Sequence, residues 1–494
     1  MGVLDVTQNG PSSDNSIIGF KYHSHAPYTV SYNANDEIRI PIQQQDVYTL
    51  PSESYLHLEY TVTGAANAAV AGTPCVSGFF SNVFSEICYE INGVEVDDIH
   101  NPGVTSLMKN AVTFERDEWT KMEGSGYKFS STTGFADFAA NGTNTTIIDV
   151  PLRYLLGFAE DYRQILLNVK QELVLTVSPN FHNCVNVAAA NVAITKLLWR
   201  MPYVEVADDV KLCLLQIVQN NTPISISFRH WELYTYPTLP QTRKHTWTVK
   251  STSQLEKPQY IVVGLQTARR GVAAANSSRF DKCNIKDVKV FLNSRYYPYK
   301  SIDGDDNHIY NMYAAFNGVY NHGKAHASNP LFESAIGDGK IMLFAFDCSR
   351  QNESLKTGSI DVRIEFEASE NISGNTTAYC MMIHEMTRRV SANVRPCTVG
   401  IKKIYSQCIV INCSVELETM NEPVMTGYRG LFMEEGELSS HEGEDVVGCV
   451  IGGRPLMKDA STSTTGLNDS YSRGKEPVVR ENKMERSHPN GKLF

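Results

Sequence analysis

The sequence predicts an all-β fold, a double jelly roll in which one chain forms two antiparallel sandwiches of about eight strands each, with short connecting helices. Three observations predict it. Short strand-like segments alternate with turn-rich segments, aromatic residues are abundant, and several strand patterns occur twice in the same order. The 24 Tyr and 20 Phe favour strands, because ring side chains pack well on pleated surfaces. A chain of 494 residues exceeds one ordinary core, so two domains are expected.

Three strand patterns of the first half recur in the second half. The first is EIRIPI (37–42) with YLHLEYTV (55–62), repeated as HTWTVKS (245–251) with QYIVVGLQ (259–266). The second places FSEICYEING (84–93) over IKDVKVFLNS (285–294), and the third places QELVLTVS (171–178) over DVRIEFEA (361–368). Each match alone could arise by chance. Three matches in the same order indicate two similar domains.

The segment PLRYLLGFAEDYRQILLNVKQELVLTV (151–177) changes its hydrophobic period part way along. Its apolar residues recur first at the spacing of a helix face (Phe158, Tyr162, Ile165, Leu166, Val169) and then at that of a strand (Leu173, Leu175, Val177). A short helix is therefore predicted to lead directly into a strand. The polar residues fall mostly between the apolar ones, which indicates a solvated face around a core rather than a catalytic cluster.

The expected domain limits follow from the repeats and from proline positions. They are 1–29 for an N-terminal arm, 30–236 for the first jelly roll, 237–400 for the second, and 401–494 for a C-terminal extension. Pro237 and Pro240 lack a backbone donor and disfavour continued strand pairing, which is typical of a hinge. In the extension, 401–417 predicts one or two further strands, and 457–494 is polar and poor in aromatics, as disordered tails are.

Composition excludes several classes of protein. The formal net charge of −10 argues against a protein that coats nucleic acid along its length, because neutralising phosphates requires clustered Lys and Arg. The beginning, MGVLDVTQNGPSSDNS, lacks the basic and apolar regions of a signal peptide, and no run approaches the roughly 18 apolar residues of a membrane span. Eleven cysteines without a CxxC pair predict reduced, mostly buried thiols and synthesis in a reducing compartment.

Several long segments resemble the major capsid protein of Polinton (Maverick) elements and the related adintoviruses. The resemblance covers roughly residues 30 to 400 and departs from the family in the long extension after RVSANVRPCTV (389–399). Its segments are PLRYLLGFAEDYRQILLNVKQELVL, ITKLLWRMPYV (194–204), FRHWELYTYPTLPQTRKHTWTVKSTSQLEKPQY (228–260), NIKDVKVFLNSRYYPY (284–299) and DCSRQNESLKTGSIDVRIEFE (347–367). Long segments in the expected order are far more specific than a short motif.

The resemblance implies a structural function. It implies a double jelly-roll subunit that trimerises into pseudo-hexagonal capsomers, which build an icosahedral shell around a DNA genome in the virion. The implied partners are two further copies, neighbouring capsomers and a single jelly-roll penton protein. No direct sequence-specific nucleic-acid binding and no membrane span are expected, and the host compartment of synthesis would be the cytoplasm or nucleus.

One group of aromatic residues lies where the first domain should lead into the second. Trp231, Tyr234, Tyr236 and Pro237 are the candidates for an inter-domain or intersubunit seam. Strand aromatics of this kind also occur without any such role, and both interpretations stay open at this point.

Two motifs suggest metal sites and fail at required residues. His23-Ser24-His25 has the spacing of a cupin site, but it precedes the first clear strand and lacks the downstream Glu and His, so we interpret it as part of the arm. Asp303, Asp305 and Asn307 resemble the start of a calcium loop, but the sixth position is His308 rather than Gly, and the twelfth is Ala rather than Glu. No metal ligand, cofactor or catalytic residue is predicted.

Two other function classes remain as alternatives. The first is a carbohydrate-active or amidase-like enzyme built on two jelly rolls, because the fold hosts both kinds of function. The sequence contains neither a GxSxG elbow nor a phosphate-binding loop, which favours a protein that is not an enzyme. The second is a domesticated capsid-fold protein that no longer assembles. A deep pocket with convergent carboxylates would favour the enzyme, and a trimer with extensive lateral faces would favour the capsid protein.

Overall fold

The computed structural model describes most of the chain up to residue 394 and one strand beyond it. The described residues are 16–394 and 411–416, apart from 30, 44–46, 65, 67, 71–73, 115, 131–133, 140–144, 168, 189, 220–223, 252–256, 294, 322–341 and 351–359. The predicted polar tail (457–494) lies outside the described residues.

The first half of the chain forms a sandwich of two antiparallel sheets. Its strands are β1 (Ile17–His25), β2 (Glu37–Ile42), β3 (Tyr48–Thr49), β4 (Tyr55–Thr63), β5 (Phe84–Ile91), β6 (Val94–His100), β7 (Phe129–Ser130), β8 (Gly134–Phe135), β9 (Thr146–Pro151), β10 (Leu166–Leu167), β11 (Gln171–Val177) and β12 (Asn191–Val206). One sheet has the order β10-β3-β12-β4-β9, with β1 also paired to β12, and the other has the order β2-β11-β5-β6. Strands β7 and β8 pair with each other.

The second half forms another sandwich of two antiparallel sheets. Its strands are β13 (Ile224–Tyr236), β14 (Lys244–Ser251), β15 (Pro258–Thr267), β16 (Ile285–Leu292), β17 (Arg295–Tyr297), β18 (Leu343–Asp347), β19 (Asp361–Ala368), β20 (Thr376–Val394) and β21 (Ile411–Glu416). One sheet has the order β13-β20-β15-β18, with β21 also paired to β20, and the other has the order β14-β19-β16-β17.

The two sandwiches share one strand order. The sheet β1-β12-β4-β9 corresponds to β13-β20-β15-β18, and β2-β11-β5-β6 corresponds to β14-β19-β16-β17. The predicted double jelly roll is therefore confirmed, and the repeated segments found in the sequence are corresponding strands. The short strands β3 and β10 are additions to the first sandwich, and β21, within the region predicted to hold further strands, is an addition to the second.

One predicted alignment is wrong by a residue. Ile87 pairs with Leu175 in the first sandwich, and its counterpart Val288 pairs with Phe366 in the second, so Leu175 corresponds to Phe366 rather than to Glu365. A shift of one residue exchanges the two faces of a strand. Strand β11 is buried on both faces, so its sequence carries little alternation from which the register could be read.

Six α-helices lie in the connections that the structure describes. They are α1 (Phe79–Val83), α2 (Pro102–Thr113), α3 (Arg116–Met122), α4 (Gly157–Asp161), α5 (Asp208–Gln219) and α6 (Asp306–Tyr320). The helix predicted through Val169 ends much earlier, since Tyr162 is already extended and Leu166–Leu167 pair with β3 as β10. Tertiary strand pairing there overrides the helical spacing, and the predicted strand is confirmed as β11.

The sheets place two segments differently from the expected domain limits. Residues 17–25, expected in an N-terminal arm, form β1 and pair with β12 of the first sandwich. Strand β13, expected to end the first jelly roll at residue 236, pairs along its whole length with β20 of the second. The connection between the sandwiches therefore follows Val206, and the prolines lie in the turn between β13 and β14 because that turn is where pairing stops.

The thiols differ from expectation at one position. The cysteines that the described part of the chain shows as free are Cys75, Cys88, Cys184, Cys283, Cys348 and Cys380, and all of these except Cys283 are buried. Cys213 is disulfide-bonded, contrary to the expectation of reduced thiols, because sequence spacing does not reveal which thiols meet in the fold. Within the described part of the chain, no helix has both the length and the apolar character needed to cross a bilayer.

Candidate functional site: the seam between the two sandwiches

The two sandwiches belong to one compact unit, Met1–Phe432, and contact each other through buried polar side chains. We call this contact the seam. It has a charged part around α2 and α4, a histidine beside it, a helix-end part between α2 and α6, and a loop part formed by the connection between β15 and β16. Every part joins residues of the first sandwich to residues of the second.

A fully buried lysine lies at the centre of the charged part. Lys109, on α2, places its Nζ 2.5 Å from Glu160 Oε1 of the first sandwich and 4.5 Å from the ring centre of Trp231 of the second. Glu160 also accepts a hydrogen bond from the Tyr320 hydroxyl at 2.9 Å. Burial lowers the pKa of Lys109, and the adjacent Glu160 carboxylate opposes that shift.

Next to this lysine, a bidentate ion pair crosses the seam. The Arg229 guanidinium on β13 donates to both carboxylate oxygens of Asp161, from Nε at 2.8 Å and from Nη2 at 2.5 Å. Nη1 donates to the Tyr320 carbonyl at 2.9 Å. Burial alone would raise the pKa of Asp161, but the hydrogen bonds and charge of Arg229 outweigh it and lower that pKa. The same carboxylate raises the pKa of Arg229 against the effect of burial.

The edge of β13 is closed by α4. The Arg229 backbone N–H donates to Asp161 Oδ2 at 2.9 Å, so an edge-strand donor finds a partner in the other sandwich. A Cβ at Gly157 would overlap the Arg229 carbonyl oxygen, so the close approach of α4 requires glycine. An exposed strand edge is a template for pairing with other chains, and here the first sandwich covers it.

A buried histidine adds a further link beside the ion pair. His230 Nδ1 donates to Asp97 Oδ1 at 2.7 Å, and the other Asp97 oxygen accepts the Phe158 backbone N–H at 2.8 Å. The His384 ring lies 5.1 Å from the His230 ring in an edge-on arrangement. Burial alone would lower the pKa of His230, but the hydrogen bond and charge of Asp97 raise it above its ordinary value.

In the helix-end part, side chains of α6 satisfy the last carbonyls of α2. Asn317 Nδ2 donates to the carbonyls of Val112 at 3.1 Å and Thr113 at 2.8 Å. The Tyr313 hydroxyl donates to the Ala111 carbonyl at 3.2 Å. The last carbonyls of any helix lack intrahelical partners, so the second sandwich supplies donors that α2 needs at a buried terminus.

The loop part is held mainly by amides and one carboxylate. Asp137 of the first sandwich accepts hydrogen bonds from Asn186 of its own sandwich and from Asn276 of the second. Ser277 Oγ donates to the Asn183 carbonyl at 2.6 Å. Burial raises the pKa of Asp137. Burial also lowers the pKa of Arg270, whose Nη1 lies 3.3 Å from Asn82 Oδ1 across the seam.

The four candidate seam residues occupy different environments. Trp231 is buried against Lys109 of the first sandwich, and its Nε1 has no hydrogen-bond partner among the described residues. Tyr236 packs against Trp247, with ring centres 5.8 Å apart, and the Pro237 carbonyl accepts from Thr377 Oγ1 at 2.8 Å, both within the second sandwich. Tyr234 is half-buried on β13, where it pairs with Cys380. Their role as a seam stays a prediction.

Sequence reasoning missed the residues that carry the charged part. The available signal was Lys109 itself, a single charged residue within the apolar stretch PGVTSLMKNAVT, every residue of which is buried. Asp161 lies in a segment whose polar residues were interpreted as a solvated face, and Arg229 lies in a segment that was noted only for its aromatic residues. An ion pair between distant positions leaves no local sequence pattern.

The two motifs that fail as metal sites have structural roles. His23 stacks on Tyr203 with ring centres 4.3 Å apart, and His25 Nε2 lies 3.1 Å from the Tyr203 hydroxyl oxygen. Burial, followed by the neighbouring His23, lowers the pKa of His25. Asp305 caps α6 by accepting the Asn307 backbone N–H at 3.0 Å, and Asp303 pairs with Lys286.

One other cluster has metal-ligating side chains. Glu86, Asp98 and His100, on β5 and β6, place one potential ligand atom each within 4.8 Å of one another. His100 is exposed, and its two ring nitrogens lie 3.7 Å from Glu86 and 3.4 Å from Asp98. Exposed groups of this composition are common without an ion, and sequence reasoning did not single them out.

A comparison with models of protein families identifies the family to which this fold belongs. The model of the double jelly roll-like domain matches residues 75–388, which is more than half of the chain. The chain belongs to the double jelly roll-like domain family. This double jelly-roll protein matches no curated protein in sequence. Its family and fold agree with the prediction that it is not an enzyme.

Solved structures support the same fold. The structure of the Sputnik virophage is similar with a TM-score of 0.55 and 10% identity, covering 85% of this chain and 92% of that one. The mavirus major capsid protein gives 0.46 and 12%, and the Faustovirus major capsid protein gives 0.47 and 10%, each covering 78% of this chain and 92% of its own. At these identities, the first similarity shows a shared fold.

Proposed function

We propose that this double jelly-roll protein is a major capsid protein, that three copies form a pseudo-hexagonal capsomer, and that capsomers build an icosahedral shell around a DNA genome. The observation that carries the proposal is the pair of sandwiches with one strand order, joined in a single unit by a buried seam. Three such chains around an axis present six similar sandwiches, a shape that tiles a surface with hexagonal packing.

The chemistry of the seam supports a structural role. An ion pair, a buried lysine and a capped helix end fix the relative position of the sandwiches, because each of these groups is costly to bury without its partner. A capsomer needs that fixed geometry, since an error between the two halves of one chain would recur in all three subunits. In this proposal, Trp231, Tyr234, Tyr236 and Pro237 form an inter-domain or intersubunit seam.

The finer assignments belong to the same proposal. The long segments quoted above support the Polinton and adintovirus lineage. The partners would be two further copies, neighbouring capsomers and a single jelly-roll penton protein, and the location would be the virion after synthesis in a reducing host compartment. The domains would be two jelly rolls, the first of which includes β1, and a C-terminal extension from about residue 401.

The proposal is tested by measuring the mass and shape of the purified protein. Light scattering at micromolar concentration should give close to three times the chain mass of 55.1 kDa, because obligate interfaces commonly bury more than about 2,000 Å². Negative-stain images should show hexagonal outlines with threefold symmetry. A stable monomer would contradict the proposal and favour the domesticated protein. Turnover of a glycan, ester or amide substrate that a single carboxylate substitution abolishes would favour the enzyme.

A further inference from the structure

The first strands of the two sandwiches correspond in the fold but differ in burial. Strand β13 is covered by the first sandwich, which provides Asp161 to Arg229 and Lys109 to the Trp231 ring. Strand β1, its counterpart by strand order, is exposed along most of its length. Among the described residues, β1 packs mainly on β12 and β2 of its own sandwich, and Tyr22 also contacts Glu53 and Tyr55 there.

The exposed residues of β1 are unusually apolar for a strand open to solvent. Ile18 is 68% exposed, Phe20 45% and Tyr22 47%. Phe20 and Tyr22 lie on one face of the strand, and Ile18 lies beside them at a shift in the strand register. The Phe20 and Tyr22 ring centres are 5.5 Å apart, and Tyr22 lies 5.4 Å from Tyr55 of β4. We call Ile18, Phe20, Tyr22 and Tyr55 the β1 surface. Contiguous exposed apolar patches mark interaction sites.

A second exposed aromatic group lies on the other sandwich. Tyr296 on β17 is 40% exposed, Tyr299 just after it is 89% exposed, and their rings stack with centres 6.1 Å apart. Strand β17 is the counterpart of β6, the edge strand that lies beside β13 within one chain and provides Asp97 to His230. We call Tyr296 and Tyr299 the β17 surface.

The intrachain contact therefore predicts where a second copy would dock. Within one chain, the β6 edge of the first sandwich lies beside β13 of the second. If the same relation continues around a ring, the β17 edge of a second sandwich lies beside β1 of the next chain. We propose that the β1 surface of one copy docks against the β17 surface of a second copy of this chain. This inference rests on the proposed trimer and names the contact that closes it.

The arrangement is consistent with a closed ring. The β1 and β17 surfaces are different patches, so the contact is heterologous and repeats head to tail rather than forming a two-fold dimer. Aromatic side chains on both patches suit such a contact, because they provide large apolar areas at low entropic cost and are enriched in interface cores.

The test introduces charge into each surface separately. The variants are Phe20→Lys with Tyr22→Lys, and Tyr296→Lys with Tyr299→Lys, with Leu212→Lys as the matched control. Leu212 is 63% exposed on α5, so all three variants change exposed apolar side chains. In light scattering, the first two should fall from three chain masses to one at concentrations where the wild type and the control remain trimeric.

A photo-crosslinker at position 22 identifies the partner surface directly. Adducts between this position and peptides around Tyr296 of another copy are expected, and adducts to the first sandwich of another copy would overturn the assignment.

Trimers that survive both surface variants would also overturn the assignment while leaving the proposed function intact. Loss of the trimer in the control would show that any added charge disrupts assembly. A monomeric wild-type protein would overturn the capsomer proposal itself. A lower melting temperature without a change in mass would show that the β1 surface is covered from within the chain.

Discussion

The charged part and the helix-end part of the seam join the same two sandwiches by different means. The charged part depends on ionised partners, Lys109 with Glu160 and Arg229 with Asp161. The helix-end part uses neutral donors such as Asn317 on the carbonyls of α2. Removing one member of a buried ion pair leaves a charge without a partner, whereas removing an amide leaves a neutral carbonyl. The comparison therefore indicates that the charged part is more sensitive to single substitutions.

Asp161→Ala should cause the largest loss of stability. It leaves the Arg229 guanidinium buried without its carboxylate, and such losses amount to about 3–5 kcal/mol of the free energy of unfolding. Urea denaturation measures this. The control is Asp161→Ala combined with Arg229→Met, which removes both charges and should recover part of the loss. Equal losses of unfolding free energy in the single and double variants would mean that the unpaired charge of Arg229 does not make the charged part more sensitive than the helix-end part.

Gly157→Ala should come next, because it acts on the backbone beside the same ion pair. The added Cβ would overlap the Arg229 carbonyl oxygen, and the forced shift of α4 should cost about 1–3 kcal/mol. The matched control is Gly124→Ala, where a Cβ would meet no atom within 4 Å. Thermal unfolding compares the two variants. A harmless Gly157→Ala would show that α4 can move away from β13 at little cost.

Asn317→Ala should weaken the helix-end part by about 1–2 kcal/mol. It removes two hydrogen bonds, and each contributes about 1 kcal/mol net. Asn321→Ala is the control with a smaller expected loss, since Thr113 keeps its bond to Asn317. Denaturation at pH 5 and at pH 8 should give the same loss for Asn317→Ala, because the groups involved do not titrate. A loss that varied with pH would link this part to the charges.

The smallest effect should be a pH dependence from His230. Its folded-state pKa is raised above the ordinary 6.5, so its contribution to stability is fully present below about pH 6.5 and is lost as the pH rises through the folded-state value. The wild type should therefore lose some stability on the alkaline side, while His230→Gln should lack this component. Stability profiles of the two proteins that run parallel between pH 6 and pH 9 would contradict the assignment.

The stability of the wild type at low pH depends on the ion pair between Asp161 and Arg229. The pKa of Asp161 is lowered from the ordinary 3.8, so the stability it provides is present above that value and is lost as the pH falls through the folded-state value. Asp161→Ala should flatten this acid limb. The histidine and the carboxylate thus limit the charged part at opposite ends of the pH scale, whereas the helix-end part should show neither limit.

The strand repeats show which features of the fold can be predicted from local sequence patterns. Alternating apolar residues in strands such as EIRIPI determined that these segments are strands with one buried face, because the side chains of a strand alternate between its two faces. The order of the repeats determined that the chain contains two similar domains. The first inference needs only residues close together in sequence, and the second needs only a comparison of such local patterns, which is why both were correct.

The tertiary structure decided what depends on distant residues. It set the register of β11 against β5, the end of α4 at Asp161, and the membership of β1 and β13 in their sheets. It also brought Lys109, Asp161 and Arg229 together at the seam. Hydrophobic period reports whether a segment is buried, but not which partner buries it. The seam and the proposed docking surfaces are contacts between segments that are distant in sequence or belong to different copies. Which segments meet depends on the packing of the whole chain.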